Sequence, residues 1–158
     1  MTWEEVCAHP SLQDLPFKIE TNQWGQVVMS PVKIPHSAFQ GAINTLLQNL
    51  MGRGRTLVEC AIATREGIKV ADVAWVSPVR FKQIKNETAC SIAPEICVEV
   101  FSGSNTQREM KEKRELYFEK GAKEVWFCDK NGKISFHKAE GKLKKSELCL
   151  DFPNKIKL

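Results

Sequence analysis

The chain has 158 residues, 42% hydrophobic and 27% charged, with a formal net charge of +4 at pH 7. That is the profile of one globular domain, spanning residues 1–158, rather than of a disordered or fibrous chain. No run approaches the roughly 18 apolar residues of a membrane span, and MTWEEVCAHP lacks a basic stretch followed by an apolar one, so no membrane partner and a cytoplasmic location are expected.

Taken in order, Thr2 and Glu5 form a capping box for a short helix through Ala8 that Pro10 stops. Phe17 to Glu20 and Gln26 to Met29 read as a hairpin turning through residues 22–25. Pro31 and Pro35 bracket a loop, and Ser37 with Gln40 reads as the cap of an amphipathic helix carrying Phe39, Ala42, Ile43, Leu46, Leu47 and Leu50, closed by Gly52. Two strands follow, Thr56 to Ala63 and Ile68 to Val76, joined at Arg65 to Gly67. Ile96 to Phe101 is a short apolar run suited to a strand covered on both faces. Residues 102–105 then form a turn, and two overlapping capping boxes, Ser104 with Gln107 and Thr106 with Glu109, start a helix that ends near Gly121. Val125 to Cys128 returns as a strand, which makes a βαβ unit with parallel neighbours. The fold class is α/β: a central mixed sheet with the helix from Ser37 on one side and the helix from Thr106 on the other.

Six cysteines, at 7, 60, 90, 97, 128 and 149, include no C-x-x-C pair, so neither a zinc knuckle nor a redox motif is indicated. Cys60, Cys97 and Cys128 lie in strand-like runs and read as buried free thiols, which favours a reducing compartment.

Two of the apolar strands each carry one acid: Asp72 in IKVADVAWV and Glu99 in ICVEVF. Either alone is most simply a satisfied core polar group, because a buried carboxylate must be paired, hydrogen-bonded or bound to a cation. Two are harder to dismiss. Neighbouring strands with both acids on one face would bring like charges together, and they would repel unless a cation bridged them. All-oxygen ligation completed by water suits Mg²⁺ or Mn²⁺. On the helix from Thr106, Met110, Lys113, Leu116 and Tyr117 share a face, so Lys113 is an inward cation. Two acids and a lysine can hold a metal, activate a water and stabilise charge on a phosphodiester.

The order of these residues resembles a known family. An acid ending one strand, then P-E-I-C-V-E-V, S-G-S, a helix with E-K-R-E-L-Y and G-A-K-E-V-W-F-C-D is similar to the putative restriction endonuclease family, of uncharacterised function, within the PD-(D/E)XK nuclease superfamily. The likeness is dense from Val70 to Asp129 and looser upstream, where Glu20, Gly25, Met29 to Pro31 and His36 also match. The resemblance implies a restriction-endonuclease-like core, a hydrolase that cuts DNA with Mg²⁺ or Mn²⁺, Asp72 and Glu99 as the two acids, and Lys113 as the lysine, moved from strand to helix. It departs from the superfamily motif in two places. Ala71 precedes Asp72 where proline is usual, and Phe101 stands where the lysine usually stands. Without Lys113 in reach of the acids, the chain would be an inactive relative.

Glu20 reads equally as a third metal ligand and as an edge-strand acid. His36 precedes a helix and is more simply a capping or exposed residue than an accessory catalytic one. Tyr117 lies one turn beyond Lys113, where packing is the plainer role and orienting the lysine the sharper one. Trp75 and Trp126 end apolar strands and read as core. Arg53 and Arg55, flanking Gly54, and the lysines after Lys130 could follow a phosphate backbone or form an ordinary solvated surface. Two functions therefore stand side by side: a metal-dependent DNA endonuclease, and a non-catalytic nucleic-acid-binding or interaction protein that keeps the nuclease fold. Cutting both strands of a duplex would favour a two-fold homodimer.

Overall fold

The computed structural model describes residues 1–103 and 105–158. Its first helix, α1 (Trp3–Ala8), is closed by the reciprocal bonds its sequence promises: Glu5 N–H donates to Thr2 Oγ1, and Thr2 N–H to Glu5 Oε2. A single 3-10 turn, Pro10–Leu12, leads on. Next comes the antiparallel hairpin β1 (Phe17–Thr21) and β2 (Val27–Pro31). In its turn, Asn22 Oδ1 accepts from the N–H groups of Trp24 and Gln26.

The following helix, α2 (Ile34–Met51), begins three residues before Ser37. The expected Ser37–Gln40 box is not its cap. Pro35 sits in the first turn, where a missing N–H costs nothing, and Ser37 N–H already donates to Lys33 O inside the helix. Gly52 closes it in the left-handed region, φ +66°.

Six further strands form one mixed sheet in sequence order: β3 (Arg55–Thr64), β4 (Gly67–Val76), β5 (Ile96–Val100), β6 (Glu124–Cys128), β7 (Ile134–Lys138) and β8 (Gly141–Leu143). Only β5 and β6 are parallel, because α4 (Gln107–Glu119) carries the chain back between them. Thr106 caps α4 by accepting from Glu109 N–H, whereas the Ser104–Gln107 box lies outside the described residues. A helix absent from the sequence reading, α3 (Pro78–Ile84), follows β4, capped by Ser77 with proline in its first turn.

Each face of the sheet has its own core. On one side Phe39, Ile43 and Leu47 of α2 pack with Val98, Trp126 and Phe136, closed by Phe152 and Ile156 near the C-terminus. On the other, Tyr117 of α4 packs with Ala74, Cys97 and Val125. The two helices thus clamp β4, β5 and β6, burying every residue of β5.

The feature that positions the site is a fork. β4 and β5 pair only from Val73 against Val98 to Trp75 against Ile96. Beyond that they part, and the edge of β4 from Gly67 to Asp72 would expose unpaired N–H groups. The β1–β2 hairpin covers it with side chains: Thr21 Oγ1 accepts from Ile68 N–H at 2.8 Å and Glu20 Oε2 from Val70 N–H at 2.7 Å. Contact here is close. Gly67 takes φ +91°, and a Cβ on it would collide with the carbonyl oxygens of Thr21 and Asn22.

Candidate site of acids and lysines at the fork between two strands

Because the ladder ends at Val73 and Val98, the next residues along the fork are Asp72 and Glu99. Asp72 spans the gap itself: its Oδ2 accepts from Val100 N–H at 2.7 Å. Asp72 is 1% exposed and Glu99 2%. Their carboxylates converge on one cation, the ammonium of Lys18, which lies 3.0 Å from Asp72 Oδ1 and 3.2 Å from Glu99 Oε2. Lys18 reaches it from β1, where a period of two puts it on the same face as Glu20.

A second ammonium comes from α4. Lys113 turns inward as its helical stripe requires, with Nζ 2.8 Å from Glu20 Oε2 and 3.4 Å from Glu99 Oε1. One turn further along, the Tyr117 hydroxyl donates to the same Glu99 Oε1 at 2.6 Å. From the first turns of α2, His36 Nε2 lies 3.3 Å from Asp72 Oδ2, while its Nδ1 is buried with no hydrogen-bond partner among the described residues. Glu20, His36, Asp72, Glu99, Lys113 and Tyr117 are thus brought together.

Three carboxylates face two lysines here, and the titration of each group records how that charge is shared. Burial pushes the Asp72 carboxyl up, but Lys18 and His36, with the Val100 N–H bond, outweigh it and hold the group well below the ordinary aspartate range. Burial also opposes ionisation of Glu20, yet Lys113 and Lys18 bring it down. Glu99 goes the other way. Its burial, together with repulsion from Asp72 and Glu20, exceeds the help of Lys113 and Lys18, so its carboxyl is raised. Lys18 is driven up: burial disfavours its charge, but Glu99, Asp72 and Glu20 overcome that.

Lys18 went unread in the sequence, although the alternation F-K-I-E carried the signal. Glu59 was missed as well. It stands on β3 opposite Asp72, lines the same hollow, and holds φ +54°, a strained setting for a residue with a Cβ. The hollow itself is about 20 Å³ and bounded by Lys18, Glu20, His36, Asp72, Glu99 and Lys113 among others. That is room for about one water-sized group.

Arg53 and Arg55 lie elsewhere. They line a separate hollow with Gln48 and Trp75, Arg55 covers the Phe81 ring at 4.7 Å, and Trp75 Nε1 donates to Arg53 O. Trp126 is fully buried, its Nε1 bonded to Glu124. All six cysteines are free, five of them buried. Among the described residues no helix is long and apolar enough to cross a membrane.

A mixed sheet clamped by two helices, with an acid on each of two strands where they fork and a lysine supplied by the crossover helix, is the restriction-endonuclease-like class of α/β fold. The family model Uma2, described as "Putative restriction endonuclease", matches residues 3–157, and the chain belongs to that family. Among solved structures it is similar to one described as a putative nuclease belonging to DUF820 from Anabaena variabilis. The two are 14% identical with a TM-score of 0.74, over 98% of this chain and 94% of that one. No curated protein matches the sequence.

Proposed function

We propose that this protein is a divalent-cation-dependent endonuclease acting on DNA, with Asp72 and Glu99 as the cation's ligands and Lys113 as the assisting lysine. The observation that carries the reading is the convergence of Asp72 Oδ1 and Glu99 Oε2, from adjacent strands, on a single cationic point. Membership of a family described as restriction endonuclease supports it.

The residues fit Mg²⁺ or Mn²⁺, since the donors are carboxylate oxygens and the hollow matches one small ligand. Asp72 and Glu99 would hold the ion, and Glu20 is the third carboxylate beside them. Among the described residues no three acid, imidazole or thiol side chains form a ready-made metal cluster, so water would complete the shell, as a hard cation tolerates. When bound, such an ion supplies Lewis acidity and a more acidic water.

The chain's own groups do the remaining work. Lys113, held between Glu20 and Glu99, offers positive charge to a phosphate that is gaining negative charge. Tyr117 fixes Glu99 by donating to Oε1, leaving Oε2 directed at the shared cationic point. Lys18 occupies that point, so it and a metal ion compete for it. The same occupancy favours a second reading, a nucleic-acid-binding protein that keeps the fold and has no chemistry, because a lysine there neutralises the acids by itself. Cutting both strands of a duplex would favour two copies related by a two-fold axis.

Nicking of supercoiled plasmid with Mg²⁺ and with EDTA tests the proposal. The wild type cuts only with Mg²⁺, Asp72→Asn does not cut, and Lys113→Ala loses about 100-fold or more, the usual cost of one positioned charge-stabilising group. A wild type that leaves the plasmid intact with both Mg²⁺ and Mn²⁺ gives the case to the second reading.

A further inference from the structure

A groove of about 910 Å³ runs along one flank of α4, between that helix and the β6–β7–β8 ribbon. Its walls carry six cations: Arg108, Lys111 and Arg114 from α4, Lys130 and Lys133 from the β6–β7 turn, and Lys142 from β8. Among the described residues on those walls Asp129 is the single acid, and its Oδ1 is turned into the hairpin, accepting from the N–H groups of Asn131 and Lys133. Lys111, Lys130, Lys133 and Lys142 are all exposed.

Aromatic faces stand among these charges. Phe101, Phe127 and His137 line the groove, with the Phe127 and His137 rings 5.1 Å apart and the Arg114 guanidinium 5.9 Å from the Phe127 centroid. Arg114 also bonds His137 Nδ1 at 3.2 Å. The charge is strong enough to register on that imidazole: partial burial first, then Arg114 and Lys142, hold His137 down to about 4.

The groove opens beside the acid site. Phe101 faces it while Val100 and Ser102, on either side in sequence, border the hollow at Asp72 and Glu99, and Arg114 lines it where the preceding Lys113 lines the hollow. The two meet near the C-terminal end of β5, at Val100, Phe101 and Ser102.

We propose that this groove binds a single nucleic-acid strand, its phosphates on the six cations and its bases against Phe101, Phe127 and His137, and delivers it to the acid site. Cations that follow a backbone, combined with aromatic faces, are the features by which single strands are held without reading sequence. The delivery clause rests on the nuclease reading, while the binding clause does not.

Anisotropy of a fluorescein-labelled single-stranded oligonucleotide, titrated in EDTA across a salt series, tests it. Lys111→Gln/Lys142→Gln removes two groove ammonium groups that make no ion pair with the described residues, and Lys144→Gln/Lys145→Gln removes two outside the groove. The groove variant binds about tenfold more weakly, and its log–log salt slope shrinks by about 1.4, near 0.7 for each lost phosphate contact, while the control stays within about twofold of wild type. Equal losses in both variants, no binding by the wild type, or tighter binding of the matching duplex would overturn the groove. A wild type that binds the oligonucleotide in EDTA through the groove lysines but leaves plasmid intact with Mg²⁺ marks failure of the nuclease reading alone, whereas a wild type that cuts with Mg²⁺ but binds no better than the groove variant marks failure of this one.

Discussion

The two acids that drew attention in the sequence are not equivalent once their partners are known. Read alone, they should repel each other without a metal. In the fold, Lys18 lies between them, and Asp72 takes the larger share of the compensation, from Lys18, His36 and the Val100 N–H. Glu99 is the carboxylate in excess, raised by burial and by Asp72 and Glu20. Urea melts in EDTA should therefore separate two isosteric changes. Asp72→Asn loses about 3 kcal/mol, toward the low end for breaking a buried ion pair. Glu99→Gln, which leaves two carboxylates facing two lysines, stays within about 1 kcal/mol of wild type or gains. The reverse order would mean that Lys18 belongs to Glu99.

His137 offers a test at acid pH. Its folded pKa, lowered to about 4 chiefly by burial, lies below the ordinary value of about 6.5. A depressed imidazole takes up its proton more readily unfolded, so its contribution is complete above about pH 6.5 and is lost as pH falls toward 4. The fall in Tm between those pH values should be shallower in His137→Asn, and equal falls would show that the imidazole is not held neutral by the fold.

At the scale of elements, the hairpin is the least obvious contributor to the site and supplies two of the charged groups that meet there, Lys18 and Glu20. It is held on β4 through Thr21, Glu20 and the close approach at Gly67. Gly67→Ala puts a methyl where the Thr21 and Asn22 carbonyls lie, at a φ that L-residues avoid, so the hairpin must lift. Hydrogen exchange should then speed up at Ile68 and Val70 while β5 and β6 keep their protection. Unchanged exchange at those two amides would mean that the hairpin contributes nothing to the edge.

The same element shows where sequence reading stops. Capping residues and helical periodicity located α1, α2 and α4, and the apolar runs located β3 to β6, because those signals are local. The start of α2 moved from Ser37 to Ile34 because proline fits a first turn as readily as it ends a loop. The strand β7 was legible in the alternation of Ile134 and Phe136, both buried, but lysines dominate that stretch and turned attention to charge. Ser77 and Pro78 likewise signalled α3. No local signal says that Lys18, 54 residues from Asp72 and 81 from Glu99, ends between them. That depends on which edge the hairpin covers.

At the scale of the molecule, Asp72, Glu99 and Lys113 were legible because a charge inside an apolar run demands a partner. Their meeting was not, since it follows from the β4–β5 pairing, the fork that ends it, and the crossover that lays α4 over the open end. The central claim is that this fork is a divalent-cation site shared with Lys18. Anomalous diffraction from crystals soaked in Mn²⁺ tests it most directly. The account predicts a single peak ligated by Asp72 and Glu99, with the Lys18 ammonium displaced from its place between them. Crystals that show no peak there, with Lys18 still bonded to both carboxylates at millimolar Mn²⁺, would contradict it.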